Sequence, residues 1–126
     1  MHPVLAAAIA EVQSLYPGDT VSTAEQPDGS VWVTLHGVDI GLGWAPSVID
    51  LSVKLQPTFP STPPYPFYGP AGLSRTDGSA CPPVQPQVTL DGAARAQISL
   101  TKPFNPTIET LGTRFATVIR WLRTIS

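Results

Sequence analysis

Cysteine is nearly absent from this sequence, because Cys81 is the single thiol among 126 residues. One cysteine cannot form an internal disulfide, which favours a reducing compartment and predicts a cytoplasmic protein. Long hydrophobic runs are missing too: the apolar segment at residues 4–10 is too short to cross a bilayer and has no basic flank in front of it. We therefore expect neither a signal peptide nor a membrane partner.

Charged residues are also scarce, at 13% of the chain, and the net charge is −2. The seven basic residues are scattered and form no patch with interleaved aromatics, so nucleic acid is not expected as a partner. No glycine-rich phosphate loop is present, so no nucleotide use is implied and no cofactor is expected. His2 and His36 have no second ligand nearby in the sequence, which argues against a metal site.

Proline, by contrast, is abundant: the chain has 15, and most of them lie between positions 57 and 106. Apolar residues make up 42% of the chain, enough for one folded domain over residues 1–126 with a core of its own. The proline cluster therefore predicts long ordered loops inside that domain rather than a second domain.

Two segments have the spacing of apolar residues that is typical of amphipathic helices. The first covers residues 3–15, with a proline at its start and Pro-Gly after its end. The second opens at Asn105, read as a cap followed by a first-turn proline. Its apolar positions are Ile108, Leu111, Phe115, Val118, Ile119, Leu122 and Ile125. The cations off that stripe are expected on solvated helix surface: Arg114, Arg120 and Arg123.

Four strands are predicted between the helices, at residues 21–25, 31–35, 49–55 and 65–68. The third is the clearest, because apolar and polar residues alternate strictly along it. Its inward residues are Ile49, Leu51, Val53 and Leu55, and its outward residues are Asp50, Ser52 and Lys54. The fourth is placed at a sheet edge because Pro66 cannot donate to a ladder.

The remaining segments are predicted as connections and one hairpin. Residues 37–47 form a wide connection, and residues 69–86 form a long loop that contains Cys81. Residues 88–90 and 96–100 form a hairpin around an Asp-Gly turn. The predicted class is α+β: an N-terminal helix, a four-stranded antiparallel meander, a cysteine loop and a C-terminal helix.

Three local motifs occur in this order along the chain. Residues 59–64 read Phe-Pro-Ser-Thr-Pro-Pro, residues 77–81 read Asp-Gly-Ser-Ala-Cys, and residues 104–106 read Phe-Asn-Pro. The first resembles the aromatic-Pro-x-x-Pro-Pro segment of the ubiquitin-conjugating enzyme superfamily. The second is similar to the Asn-Gly-x-Ile-Cys segment that presents that family's thiol, and the third to its Trp-x-Pro helix opening. Together with the order of elements, the resemblance covers nearly the whole chain.

The chain also departs from that family. The His-Pro-Asn tripeptide is absent where residues 71–73 read Ala-Gly-Leu, and Pro-Pro replaces the usual Leu-Asp after Cys81. The interval before the thiol is shorter than usual, and the segment after it is longer. The resemblance is therefore to a divergent bacterial branch, of the kind that accompanies ubiquitin-like proteins and activating enzymes in prokaryotic conjugation systems.

The resemblance implies thioester exchange at Cys81. Its thiolate would attack the thioester that joins a ubiquitin-like protein to an activating enzyme, and would then pass the acyl group to an amine of a protein acceptor. The sulfur is both nucleophile and leaving group. Gly78 would let the backbone turn tightly beneath it and leave room for the glycine tail of the carrier.

Attack by the amine builds an oxyanion, which needs a hydrogen-bond donor. The family uses the Asn of His-Pro-Asn, and Asn105 is the only asparagine here, although its first interpretation is the helix cap. Ser79, Ser74 and backbone amides of the cysteine loop are the other candidates. Asp77 could orient or deprotonate an incoming lysine, or could simply form an Asp-Gly turn.

Cys81 can also be interpreted as a small buried side chain with no chemical role. A catalytic dyad of Cys81 with His36 is also open, but no sequence motif supports it. Three functions therefore compete. The first is a conjugating enzyme that carries a ubiquitin-like protein on Cys81. The second is a non-catalytic variant of the same fold that binds a ubiquitin-like protein or a peptide. The third is a scaffold subunit that uses the outer face of the first helix.

Overall fold

The computed structural model describes residues 1–125 and shows an α+β fold. Its two helices are α1 (Pro3–Leu15) and α2 (Leu111–Thr124), and a 3₁₀ turn at Gly18–Thr20 follows α1. Both helices contribute to one core together with one face of the sheet. The residues that α1 buries there are Leu5, Ile9 and Val12, which confirms most of the apolar stripe predicted for residues 3–15, but Leu15 at its end is 56% exposed.

Six antiparallel strands form the main sheet, where four were predicted. In spatial order they are β1 (Val21–Glu25), β2 (Val31–Asp39), β4 (Val48–Leu55), β5 (Phe67–Pro70), β8 (Ala93–Ile98) and β7 (Val84–Leu90). Two short strands pair separately: β3 (Trp44–Ala45) and β6 (Ser74–Arg75). Strand β2 therefore continues into the predicted wide connection, which also contains β3.

The strand after the proline run does not lie at an edge. Pro66 precedes β5, so Phe67, Tyr68 and Gly69 keep their N–H donors. The strand pairs with β4 on one side and β8 on the other. The predicted long loop is also too long, because β6 and the start of β7 fall inside it. The start of β7 was not predicted from the sequence because it contains Pro86, and because the register of the strand shifts between Gln85 and Val88. Such irregularities are typical of edge strands.

The sheet face opposite the helices is less exposed to solvent than the alternation of apolar and polar residues in β4 predicts. Ser52 is buried, and its hydroxyl lies 2.8 Å from that of Thr34. Trp32 and Tyr68 are buried on this face too and meet edge to face, with ring centroids 5.4 Å apart. The guanidinium of Arg95 lies 4.3 Å from the Trp32 ring centroid, so cation–π contact covers the aromatic pair.

Helix α2 begins six residues later than Asn105. Its N-cap is Thr110, whose hydroxyl accepts from the Thr113 N–H while the Thr113 hydroxyl accepts from the Thr110 N–H. That reciprocal capping box satisfies two donors at once. Asn105 caps a preceding turn instead, and Ile108, predicted on the apolar stripe, is 78% exposed.

Arg114 is buried, contrary to its predicted place on the solvated surface of α2. Its guanidinium donates to the carbonyls of Lys102 and Pro103 at 3.0 and 2.8 Å and to the Glu109 carboxylate at 3.0 Å. It also lies 5.3 Å from the centroid of the Phe104 ring. One side chain thus fixes the irregular segment that leads into α2.

Candidate functional site

Cys81 lies on the loop at residues 76–83, which joins β6 to β7, and it is partly exposed. The far end of this loop is fixed by backbone hydrogen bonds. The Val84 N–H donates to the Cys81 carbonyl at 2.8 Å, and the Ser99 N–H donates to the Pro83 carbonyl at 2.8 Å. The thiol is therefore neither enclosed in the core nor on a free strand, and its backbone is anchored to the β7–β8 hairpin.

The near end of the loop is held by a local turn at Asp77, Gly78 and Ser79. The Asp77 carboxylate accepts from the Ser79 N–H at 2.9 Å and from the Ser79 hydroxyl at 2.6 Å. The Gly78 N–H donates to the Arg75 carbonyl at 3.1 Å, and Gly78 has φ +77°, a conformation that favours glycine. This geometry sets the direction in which the chain enters the cysteine segment.

The chain contains the same turn at a second place, far from the cysteine loop in sequence. Asp28 accepts from the Ser30 N–H at 3.0 Å and from the Ser30 hydroxyl at 2.5 Å, and Gly29 between them has φ +87°. An Asp-Gly-Ser sequence therefore folds this way without a thiol nearby. The contacts of the Asp77 side chain are those of an Asp-Gly turn. A catalytic role for Asp77 stays a prediction.

The two Asp-Gly-Ser turns allow a prediction about pH. The Ser79 hydroxyl, followed by its N–H, holds the pKa of Asp77 below the usual range, and Ser30 acts in the same way on the pKa of Asp28. Any stability from these carboxylates is therefore present above the unfolded-state pKa of ~3.9 and is lost as the pH falls through the lower folded-state pKa.

We expect NMR titration to show both carboxyl groups changing charge below that reference value. Ser79→Ala should raise the pKa of Asp77 and leave that of Asp28 unchanged, and Ser30→Ala should do the reverse. Unshifted titration of either carboxyl in the native protein would contradict the turn geometry.

A cleft of about 190 Å³ opens beside the thiol. Trp44 and Arg75, which are paired across β3 and β6, form one wall. The Arg75 guanidinium lies 5.0 Å from the Trp44 ring centroid. Sequence reasoning missed both residues, because 31 positions separate two strands of only two residues each. The remaining wall residues are Leu73, Ser74, Ser79, Ala80, Pro82, Val84 and Pro86.

The structure brings only some of the predicted residues to this cleft. Ser79 and Ser74 line it together with Cys81, and Asp77 is adjacent through its bonds to Ser79. Asn105 does not line it: its side-chain oxygen accepts from the N–H and hydroxyl of Thr107. The cap interpretation describes these contacts, and the catalytic role predicted for Asn105 remains a prediction.

His36 does not line the Cys81 cleft either, because its ring contacts Ser22 and Asp50 on the main sheet. The Cys81–His36 dyad left open by the sequence is therefore not formed. Over residues 1–125, no three His, Cys, Asp or Glu side chains lie close enough to hold a metal ion.

The chemistry available at the cleft is thus a partly exposed thiol, two serine hydroxyls and one guanidinium. No helix within the described part of the chain is long and apolar enough to cross a membrane. Models of known protein families, curated proteins and solved structures all give no significant match to this chain.

Proposed function

We propose that this protein is a divergent conjugating enzyme that carries a ubiquitin-like protein on Cys81 as a thioester and passes it to an amine. The observation that carries the proposal is the setting of the thiol: Cys81 is partly exposed on a loop fixed at both ends, beside a cleft. A nucleophile fixed in this way loses little conformational entropy when a protein partner approaches. The fold supports it more coarsely, with a helix before and a helix after an antiparallel sheet.

The exchange reaction balances without a cofactor. The Cys81 thiolate attacks the thioester carbonyl of the charged activating enzyme, a new carbon–sulfur bond forms, and the activating enzyme leaves as a thiolate. In the second step an acceptor amine attacks the Cys81 thioester, the amine loses a proton, and the Cys81 thiolate is released. Asp77 remains the proposed group for orienting that amine, and Ser79 and Asn105 remain proposed oxyanion donors, although Asn105 does not line the cleft.

The second candidate is a binding module of the same fold in which the thiol is incidental. Two observations favour it. The family's His-Pro-Asn is missing, and the Asp77 carboxylate already accepts two hydrogen bonds from Ser79, which makes it a weak base. A module of this kind would bind the ubiquitin-like protein without forming any covalent bond to it.

One assay separates the two candidates. The protein is incubated with its cognate activating enzyme, ubiquitin-like protein and ATP, and the products are separated with and without reductant. The conjugating enzyme predicts a reductant-sensitive adduct for the native chain, a reductant-resistant ester for Cys81→Ser and nothing for Cys81→Ala. The binding module predicts no adduct in any of the three, with unchanged affinity of Cys81→Ala for the ubiquitin-like protein.

A further inference from the structure

Three side chains on neighbouring strands of the main sheet form a hydrogen-bonded row away from Cys81. Ser22 lies on β1, His36 on β2 and Asp50 on β4. The Ser22 hydroxyl oxygen is 2.7 Å from His36 Nε2, and His36 Nδ1 is 3.1 Å from Asp50 Oδ2. A hydroxyl, an imidazole and a carboxylate are joined in this order through the two different ring nitrogens.

The strand register explains how the row forms. Val21 pairs with Leu35, so the next residue on each strand, Ser22 and His36, points to the face opposite the helices. The register of β2 against β4 shifts between Leu35 and Val38, and Gly37 within that shift has φ +67°. Leu35 pairs with Leu51, so His36 and Asp50 are the next residues on the two strands, at the start of this shift.

The carboxylate is fixed by a second bond. The Gly37 N–H donates to Asp50 Oδ1 at 3.1 Å, which leaves Oδ2 for the imidazole. Partial burial alone would raise the pKa of Asp50, but the Gly37 N–H and the His36 ring together hold it below the usual range. The ionised carboxylate therefore selects the tautomer with the proton on Nδ1, which makes Nε2 the acceptor for the Ser22 hydroxyl.

His36 also lines a cleft of about 620 Å³, which is separate from the cleft of Cys81. The walls of this larger cleft are partly apolar, with Tyr16, Pro17, Val38 and Ile119. Ser22 does not line this cleft, but Ser22 and His36 are both exposed, so a small molecule can reach the hydroxyl from solvent. Thr34 lies directly opposite Ser22 in the sheet, and its hydroxyl can donate to a ligand on the same face when it accepts from the Ser52 hydroxyl 2.8 Å away.

We propose that Ser22, His36 and Asp50 form a serine nucleophile site that hydrolyses small activated esters. The arrangement meets the geometric requirement for an activated nucleophile: the hydroxyl contacts a base, and a third group orients that base. Ser22 and His36 are the catalytic residues of the proposal, Asp50 is a positioning residue, and Thr34 supplies a donor for the oxyanion. The proposal does not depend on the function of Cys81.

The reaction balances with water as the only co-reactant. The Ser22 oxygen bonds to the ester carbonyl carbon as its proton passes to His36 Nε2. The carbon–oxygen bond to the leaving group then breaks, and the alcohol departs with that proton. Water attacks the acyl-Ser22 ester, His36 takes a proton from it, and Ser22 regains its proton as the acid leaves.

The test uses the full chain carrying Cys81→Ser, because a free thiol would also react with activated esters. The protein is treated with a fluorophosphonate, whose phosphorus the serine oxygen attacks with loss of fluoride, and the labelled residue is located by peptide mass spectrometry. We expect one label per chain, on Ser22. In p-nitrophenyl acetate we expect a burst of about one equivalent of p-nitrophenolate per chain, as an acyl-enzyme requires.

Matched variants distinguish catalysis from mere contact. His36→Gln and Asp50→Asn should each slow labelling of Ser22 about 100-fold or more, the range for loss of a positioned base. Asp50→Asn keeps an oxygen for the Gly37 N–H, so it removes the charge and preserves the strand geometry. Ser61→Ala, at an exposed serine away from the row, should change nothing.

The proposal is overturned by any of three results in the folded protein. The first is no label on Ser22. The second is labelling spread over several serines. The third is labelling of Ser22 at the same rate in His36→Gln, because the imidazole would then be a hydrogen-bond partner without activating the hydroxyl.

Discussion

Trp44→Ala should lower the free energy of unfolding by about 3–5 kcal/mol, the usual range for removing a buried tryptophan. Trp44 is 2% exposed, and its indole N–H donates to the Leu122 carbonyl in α2 at 2.9 Å. The truncation would leave a cavity and also a buried carbonyl without that donor. Urea denaturation of the two proteins measures the difference.

The neighbouring variant Leu42→Ala is the control, because Leu42 is 86% exposed and its loss should cost within about 0.5 kcal/mol. Trp44→Ala should also change the cysteine loop, since Trp44 stacks on Arg75 in the wall of the Cys81 cleft. We expect faster alkylation of Cys81 in that variant under native conditions. Equal stability of the two alanine variants would show that Trp44 does not anchor this region.

Arg114→Ala should be the second most damaging change, with a loss of about 3 kcal/mol or more. The guanidinium makes three hydrogen bonds to the segment before α2, and the Glu109 carboxylate would lose its cation. Arg114→Met, which keeps an apolar stem of similar length but loses the cation–π contact with Phe104, should recover part of this loss.

Arg120→Ala is the matched control on the same helix, because Arg120 is exposed. Its free energy of unfolding should stay within about 0.5 kcal/mol of the native value. The measurement is the urea midpoint of each of the three variants, compared where the dependence of the free energy of unfolding on urea concentration is the same. A loss at Arg120 as large as that at Arg114 would contradict the buried network.

Local patterns were sufficient for several of the regular elements of the fold. Alternation over residues 49–55 predicted β4, helical spacing over residues 3–15 predicted α1, and the Asp-Gly dipeptide at residues 91–92 predicted the hairpin turn, where both residues have positive φ. In each case the signal lies within one element. Packing against the rest of the chain agrees with it.

Long-range features could not be predicted in this way. The start of α2 was placed at Asn105 because Asn-Pro has the composition of a cap, but the reciprocal bonds of Thr110 and Thr113 fix it instead. Arg114 lies off the apolar stripe, and only the carbonyls of the preceding segment explain its burial. No helical pattern contains that information.

The two candidate sites show the same limit. A single thiol in a glycine-containing loop identified Cys81, but its cleft depends on the pairing of Trp44 with Arg75 across two very short strands. The row of Ser22, His36 and Asp50 depends on how three separate strands pair with one another. The register between strands leaves no pattern in the sequence of any one of them.

The intact mass of the native protein, recorded after incubation with its activating enzyme, ubiquitin-like protein and ATP, tests the central claim most directly. We predict a gain equal to one ubiquitin-like protein minus one water, located at Cys81 and reversed by reductant. An unmodified mass, in a mixture where the activating enzyme is itself charged, would contradict the claim.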